Sequence, residues 1–253
     1  MTEARWVQTP DELAGLPRGT RGYVGHPTCR RAAWDWAERL PLHAPVTLAL
    51  PPLRPRDEAL LGALLRRLRR IPCEGLELSL NDWGTLACCA RALAGTPVTL
   101  CAGVLLAGQD TDPRIAGFLT GADQPARNVT APDGRPARLV YAPPPAQLKT
   151  HWQTPSILGA YPLLARWGVR RVECCIPPAG LAEGFPADLA VSLYAPRVVL
   201  SVSPCADCET CRAESRPLGV LGGRAVERSL NLVTYPAELP ACLPPPVDRL
   251  VRF

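Results

Sequence analysis

Pro45-Val46-Thr47-Leu48-Ala49-Leu50 opens the stretch that decides the fold. Residues 56–70 follow, then Gly75-Leu76-Glu77-Leu78-Ser79-Leu80, then residues 83–93, then Pro97-Val98-Thr99-Leu100-Cys101-Ala102-Gly103-Val104. The first, third and fifth pieces are short apolar or β-branched runs, the pattern of buried strands. Between the first two, Leu60, Leu61, Leu64, Leu65 and Leu68 recur at helical spacing, with arginines opposite. The spacing therefore predicts strand, helix, strand, helix, strand.

The same alternation extends both ways. Residues 21–24 predict a strand and 30–40 a helix. Residues 138–141 predict a further strand, 156–167 a helix, 169–174 a strand, and 197–202 the last clear strand. Residues 109–135 are rich in Asp, Gly and Pro and predict a loop with a short helix over 113–119. Residues 142–155 predict another loop, and 230–234 a strand packed on the outside. Sustained strand–helix alternation implies a parallel sheet. The fold class is α/β, and a (β/α) barrel, complete or irregular, is the leading architecture. An open doubly wound sheet is the alternative. The whole chain, 1–253, reads as one domain, with 203–253 as a cysteine loop and C-terminal extension.

In both architectures ligands gather at the C-terminal ends of strands. Chemistry-bearing residues fall there. Cys29 follows the strand over 21–24, Asn81 and Asp82 follow the one over 75–80, and Cys174 and Cys175 end the one over 169–174. Cys205, Cys208 and Cys211 follow the last. The last three form a C-x2-C-x2-C run, the spacing with which bacterial ferredoxins open an iron–sulfur loop. No second C-x2-C pair follows, as a zinc ribbon would need. A fourth ligand must come from elsewhere, with Cys29, Cys242, Cys174 and Cys175 as candidates. Cys174 and Cys175 are adjacent on a strand and point to opposite faces, so at most one can join. A [4Fe–4S] cluster is the expected cofactor and structural zinc the alternative. Cys73, Cys88, Cys89 and Cys101 sit in apolar contexts and read as small buried hydrophobes.

Three further side chains are substrate-pocket candidates. Asn81 could face a ligand. Asp82 could do so or cap the following helix. Glu173 is a carboxylate inside an apolar strand, which is costly unless it meets a polar mouth or a cation. His26 reads as a solvated loop histidine, and His151, beside Trp152, as a loop residue.

Composition excludes several functions. The net charge is +5 and the arginines are scattered, so no basic groove for nucleic acid is drawn. The cluster Arg66, Arg67, Arg69 and Arg70 reads as a solvated helix face. Three histidines and no HExxH argue against a metalloprotease, and no nucleophile elbow is present. No apolar run has the length of a membrane span. Eleven cysteines behind an amino end without a signal-peptide core point to the cytoplasm, where clustered thiols bind metal more often than they form disulfides.

Several strings resemble the peptidase U32 family. Asn81-Asp82-Trp83-Gly84-Thr85-Leu86 looks like its "NDWG.L" turn. Gly103-Val104-Leu105-Leu106 with Asp112-Pro113-Arg114 is similar to its "G.LL….DPR" segment, and Gly168-Val169-Arg170-Arg171-Val172-Glu173 resembles its "GV.RVE" strand. Tyr23-Val24-Gly25 through Cys29-Arg30-Arg31 is similar to the "YLG..VC..RR" segment of a UbiV-like branch. That resemblance implies a [4Fe–4S] protein acting with a related partner chain, as a heterodimer, in oxygen-independent ring hydroxylation of a ubiquinone-type precursor. Its substrate would be aromatic or isoprenoid-linked. It implies Cys29 as the early ligand and Cys205, Cys208 and Cys211 as the late three. The late cysteines are more tightly spaced than in that pattern, Val104 stands where the family has Arg, and Cys174 where it often has Asp. Two other functions therefore stand beside the hydroxylase subunit. One is a non-catalytic accessory or lipid-carrier protein with a structural metal loop, and the other an RNA-modifying relative.

Overall fold

A computed structural model describes every residue except 42–44, 71–73, 121–125, 141–143, 183, 203–215, 241, 246 and 253, and the side chains of residues 120 and 139. Strand β1 (Thr2–Trp6) leads through helix α1 (Pro10–Ala14) to β2 (Arg21–Gly25), α2 (Arg30–Glu38) and β3 (Val46–Leu50). A 3-10 turn (Pro55–Asp57) runs into α3 (Glu58–Arg70), β4 (Glu77–Leu80), α4 (Trp83–Ala92) and β5 (Thr99–Ala102). Next come α5 (Ile115–Thr120), a hairpin of β6 (Arg127–Thr130) and β7 (Pro136–Leu139), and α6 (Ala146–Gln153). A second 3-10 turn (Ser156–Ala160) and α7 (Tyr161–Arg166) lead to β8 (Val169–Cys174) and β9 (Ala190–Tyr194). Then β10 (Arg197–Val202), β11 (Arg216–Leu221), β12 (Arg224–Ser229) and β13 (Leu232–Pro236) precede β14 (Val247–Arg252).

Eight strands close a barrel in the order β1-β14-β9-β8-β5-β4-β3-β2, and every neighbouring pair is parallel. The α/β barrel expectation holds, and the open sheet does not. The outward positions of the strands (Leu48, Leu50, Leu78, Leu80, Leu100, Val172, Leu193) are buried against helix residues such as Leu61, Leu65, Leu68 and Leu86. This explains the continuous apolar appearance of strands covered on the outside by helices.

The inward positions are different. Arg249 of β14 donates two hydrogen bonds to Glu77 of β4, at 2.6 and 2.9 Å. These strands are not neighbours, so the pair crosses the lumen. Thr47 donates to Glu77 at 2.7 Å, and buried Arg171 of β8 reaches from the lumen to Asp248, which is exposed, at 2.5 and 2.8 Å. Higher in the lumen, Ser79 and Tyr194 donate to Glu173 at 2.6 and 2.8 Å. Barrels of this class are ordinarily filled with branched apolar side chains; this one is filled with a buried ionic and hydroxyl network.

Several expectations are corrected. Residues 197–202 form a strand at the expected place, but β10 belongs to a four-stranded antiparallel sheet, β10-β13-β12-β11, inserted between β9 and β14. The strand over 230–234 is β13 of that sheet and is buried rather than outside. The C-terminal residues do not merely extend the domain, because β14 closes the barrel. Strand β7 pairs with β6 in a two-stranded sheet outside the barrel. The loop expected over 142–155 holds helix α6.

Candidate functional site at the barrel mouth

The inserted sheet leaves β9 at its C-terminal end and folds back across the barrel mouth. Val198, Val199, Leu232, Val233 and Tyr235 of the sheet cluster with Tyr23, Val104, Cys175 and Tyr194 of the barrel. Apolar burial thus presses the sheet onto the face where ligands collect in this architecture.

Cys29 is the N-cap of α2, with extended backbone, and is only 7% exposed. The loop before it is organised by His26. Nδ1 of His26 accepts from the amides of Thr28 and Cys29, both at 3.2 Å, which places the imidazole proton on Nε2. Burial pushes His26 down to about 4, so the ring is neutral at physiological pH. Its ring packs on Trp6 with centroids 5.8 Å apart. It is therefore a positioning element of the Cys29 loop and not a solvated loop histidine.

Thr28 joins this loop to the inserted sheet. Its hydroxyl donates to Asn231 Oδ1 at 2.5 Å, and Asn231 Nδ2 donates to the Thr28 carbonyl at 2.9 Å. Both residues are buried. Asn231 immediately precedes Leu232, whose partner across the β10–β13 ladder is Val202. Val202 is the residue from which the segment bearing the cysteine run departs. Arg216, where that segment returns, pairs with Arg228 near the same end of the sheet. The sheet end that carries both anchors is thus clasped to the residue before Cys29. Cys205, Cys208 and Cys211, like Cys73, lie outside the described residues.

The other candidate thiols are placed differently. Cys174 is buried in the helix-facing core. Cys175 faces the inserted sheet, and its Sγ accepts from the Val199 amide at 3.3 Å. The two adjacent residues do point to opposite sides. Burial holds both thiols above the ordinary range, Cys175 at about 12. Cys242 is exposed. Cys89 is buried in the helix-facing core and Cys88 half-buried against it, in keeping with a packing role, whereas Cys101 is buried in the lumen near Glu77, Glu173, Arg171 and Arg249 and not in an apolar context. Among the described residues, no group of three or more His, Cys, Asp or Glu side chains could hold a metal ion.

The pocket candidates have internal partners. Asn81, 4% exposed, donates to the Leu50 carbonyl at 2.8 Å and accepts from the Leu105 amide at 3.0 Å. It ties the ends of three neighbouring strands together. A methyl group at Gly103 would stand 2.4 Å from its Oδ1. Asp82 caps α4, accepting from the Thr85 amide at 2.8 Å and from the Leu53 amide at 3.1 Å. Glu173 is fully buried. Its Oε2 takes the Ser79 and Tyr194 hydroxyls, while Oε1 has no hydrogen-bond partner among the described residues. Burial holds its carboxyl above the usual range, against the lowering effect of those hydroxyls.

Sequence reading missed the Thr28–Asn231 clasp, which joins residues 203 positions apart. It also missed Arg249, because Val247-Asp248-Arg249-Leu250-Val251-Arg252 does not alternate as a half-buried strand does.

No protein-family model, curated protein or solved structure matches the chain. The fold and the site define a class, a closed parallel (β/α) barrel with a sheet-covered mouth. Among the described residues no helix is long and apolar enough to cross a membrane.

Proposed function

We propose that this chain is an iron–sulfur protein of the U32 peptidase-like kind. In this reading Cys29, Cys205, Cys208 and Cys211 hold a [4Fe–4S] cluster at the barrel mouth. The protein would serve oxygen-independent hydroxylation in quinone biosynthesis as one half of a heterodimer with a related chain. The observation that carries the reading is the Thr28–Asn231 clasp. It fixes the sheet end that launches the cysteine run beside the loop of the early cysteine. Cys29 suits such a group on its own chemistry. It is buried, which excludes water and oxidants, and it stands at the N-cap position of a helix whose N-terminal dipole favours a thiolate. Four soft sulfur ligands match iron in a sulfide cage. When bound, the cluster would supply one-electron chemistry. The chain's own contribution is to hold the thiolates and, through neutral His26, to fix the loop that presents Cys29.

The test is anaerobic purification with iron and acid-labile sulfide assays and EPR. The expected result is brown protein with stoichiometric iron and sulfide, both lost in Cys29→Ser and Cys208→Ser. Colourless protein with stoichiometric zinc overturns the reading.

One observation favours the second reading, a non-catalytic accessory protein. Asn81, Asp82 and Glu173 are bonded to the barrel itself. In anaerobically grown cells, continued product formation by Cys208→Ser with the partner still soluble would decide for it.

A further inference from the structure

A cavity of about 710 Å³ opens beside the inserted sheet. Its walls come from residues 176–181 after β8, from residues 237–240 and 242–245 between β13 and β14, and from the start of α5. Its volume lies in the range that holds small ligands, roughly 300–1,000 Å³. Pro113, Pro177, Pro178, Pro240, Pro244 and Pro245 all line it. Each has a ring-locked φ, so the walls lose little freedom when a ligand enters. Ile176, Leu181 and Leu243 add hydrocarbon. Tyr235 presents its ring, because its hydroxyl donates to the Thr111 carbonyl at 2.8 Å.

One cation stands at this apolar space. Arg224 lines it and is exposed, and its guanidinium has no ion-pair or hydrogen-bond partner among the described residues. Its position is set by the turn before it. Gly222 has a φ of +54°, and a methyl group there would meet the Pro113 carbonyl carbon at 2.7 Å and the Arg114 amide nitrogen at 2.8 Å. Only glycine lets the turn seat so closely on the start of α5, and Arg224 follows two residues later. Glu238 also lines the cavity and opposes an anion. Cys242 lies in the wall and is exposed.

We infer that this cavity binds a monoanion with an extended apolar body, the hydrocarbon held by the proline walls and the carboxylate by Arg224. The inference rests on the cavity alone and stands whether or not the protein holds a cluster. A guanidinium pairs a carboxylate with charge-assisted bonds that a neutral alcohol cannot match.

The experiment uses the full chain and Cys242 as the reporter. Decanoate is titrated against alkylation by iodoacetamide, followed peptide by peptide, with half-buried Cys88 as the internal reference. Decanoate should slow alkylation of Cys242 and leave Cys88 unchanged. Decanol, with the same body and no charge, should need about tenfold more for the same protection. Arg224→Gln should remove that preference, and Glu238→Gln should lower the decanoate needed. Ala116→Trp, which fills the cavity, should abolish protection while thermal unfolding stays cooperative. A parallel titration with 4-hexylbenzoate asks whether the body is aliphatic or aromatic, the tighter probe naming it. Absence of protection below the micelle concentration for both acids overturns the inference. So does equal protection by decanol, or protection that survives Ala116→Trp.

Discussion

Two buried glutamates of the barrel lumen respond to pH in opposite directions. Burial alone would push Glu77 up. The Arg249 bonds, with the charge of Arg21 and the Thr47 hydroxyl, outweigh it and hold the carboxyl below its usual range. Its contribution to stability is present above the unfolded pKa of 4.5 and is lost as pH falls below it. Glu173 has no cation bonded to it, and burial keeps its carboxyl raised. Its contribution is full below the unfolded value and is lost as pH rises through the folded one. Glu77→Gln should cost about 3–5 kcal/mol in urea unfolding at neutral pH, because it leaves Arg249 buried without its carboxylate. Glu173→Gln should cost less and should flatten the fall in stability as pH rises from acid to neutral. Urea midpoints measured across pH 2 to 8 check both signs.

Caps and packing faces decide the elements. Helix α3 buries Leu61, Leu64, Leu65 and Leu68 against the strands, and its arginines divide. Arg66, Arg69 and Arg70 are exposed as a solvated face requires, while Arg67 reaches the carbonyls of Ala37, Glu38 and Leu40 at 3.0, 2.9 and 3.2 Å and ties α3 to the end of α2. Helix α4 depends on Asp82, which also receives the Leu53 amide from the preceding βα turn. Asp82→Ala should therefore cost about 1–2 kcal/mol, the upper part of the range for a lost N-cap, measured by denaturant unfolding. The strong elements were readable because their apolar residues recur within a single turn or pleat. Strand β1, Thr-Glu-Ala-Arg-Trp, was not, since its five residues include two charges and only Ala4 is fully buried. Strand β14 hides behind Pro244, Pro245 and Pro246 and carries three charges of its own.

At the scale of the molecule, β14 decides whether the barrel exists. It pairs in parallel with both β1 and β9, so it closes the ring and supplies Arg249 to the lumen. Truncation before Val247 should leave two unpaired edges and an uncompensated Glu77. The expected outcome is loss of cooperative thermal unfolding and concentration-dependent aggregation, seen by calorimetry and light scattering. The inserted sheet is the second global feature. It occupies the place of a barrel helix, covers the mouth, and is pinned to the Cys29 loop by Asn231 and to the turn after β5 by Thr111, whose hydroxyl donates to the Val199 carbonyl at 2.6 Å.

By itself the sequence determined the alternation of strands and helices, the parallel sheet and the opposed faces of Cys174 and Cys175. These depend on neighbours along the chain, where period and side-chain direction are local properties. Closure of the barrel, the sheet over its mouth, the partners of Glu77 and Glu173, and the clasp beside Cys29 were decided only by the tertiary structure. A buried charge is tolerable only with its partner in place. The partner of Glu77 stands 172 residues away, and that of Thr28 stands 203 away, beyond the reach of any local pattern.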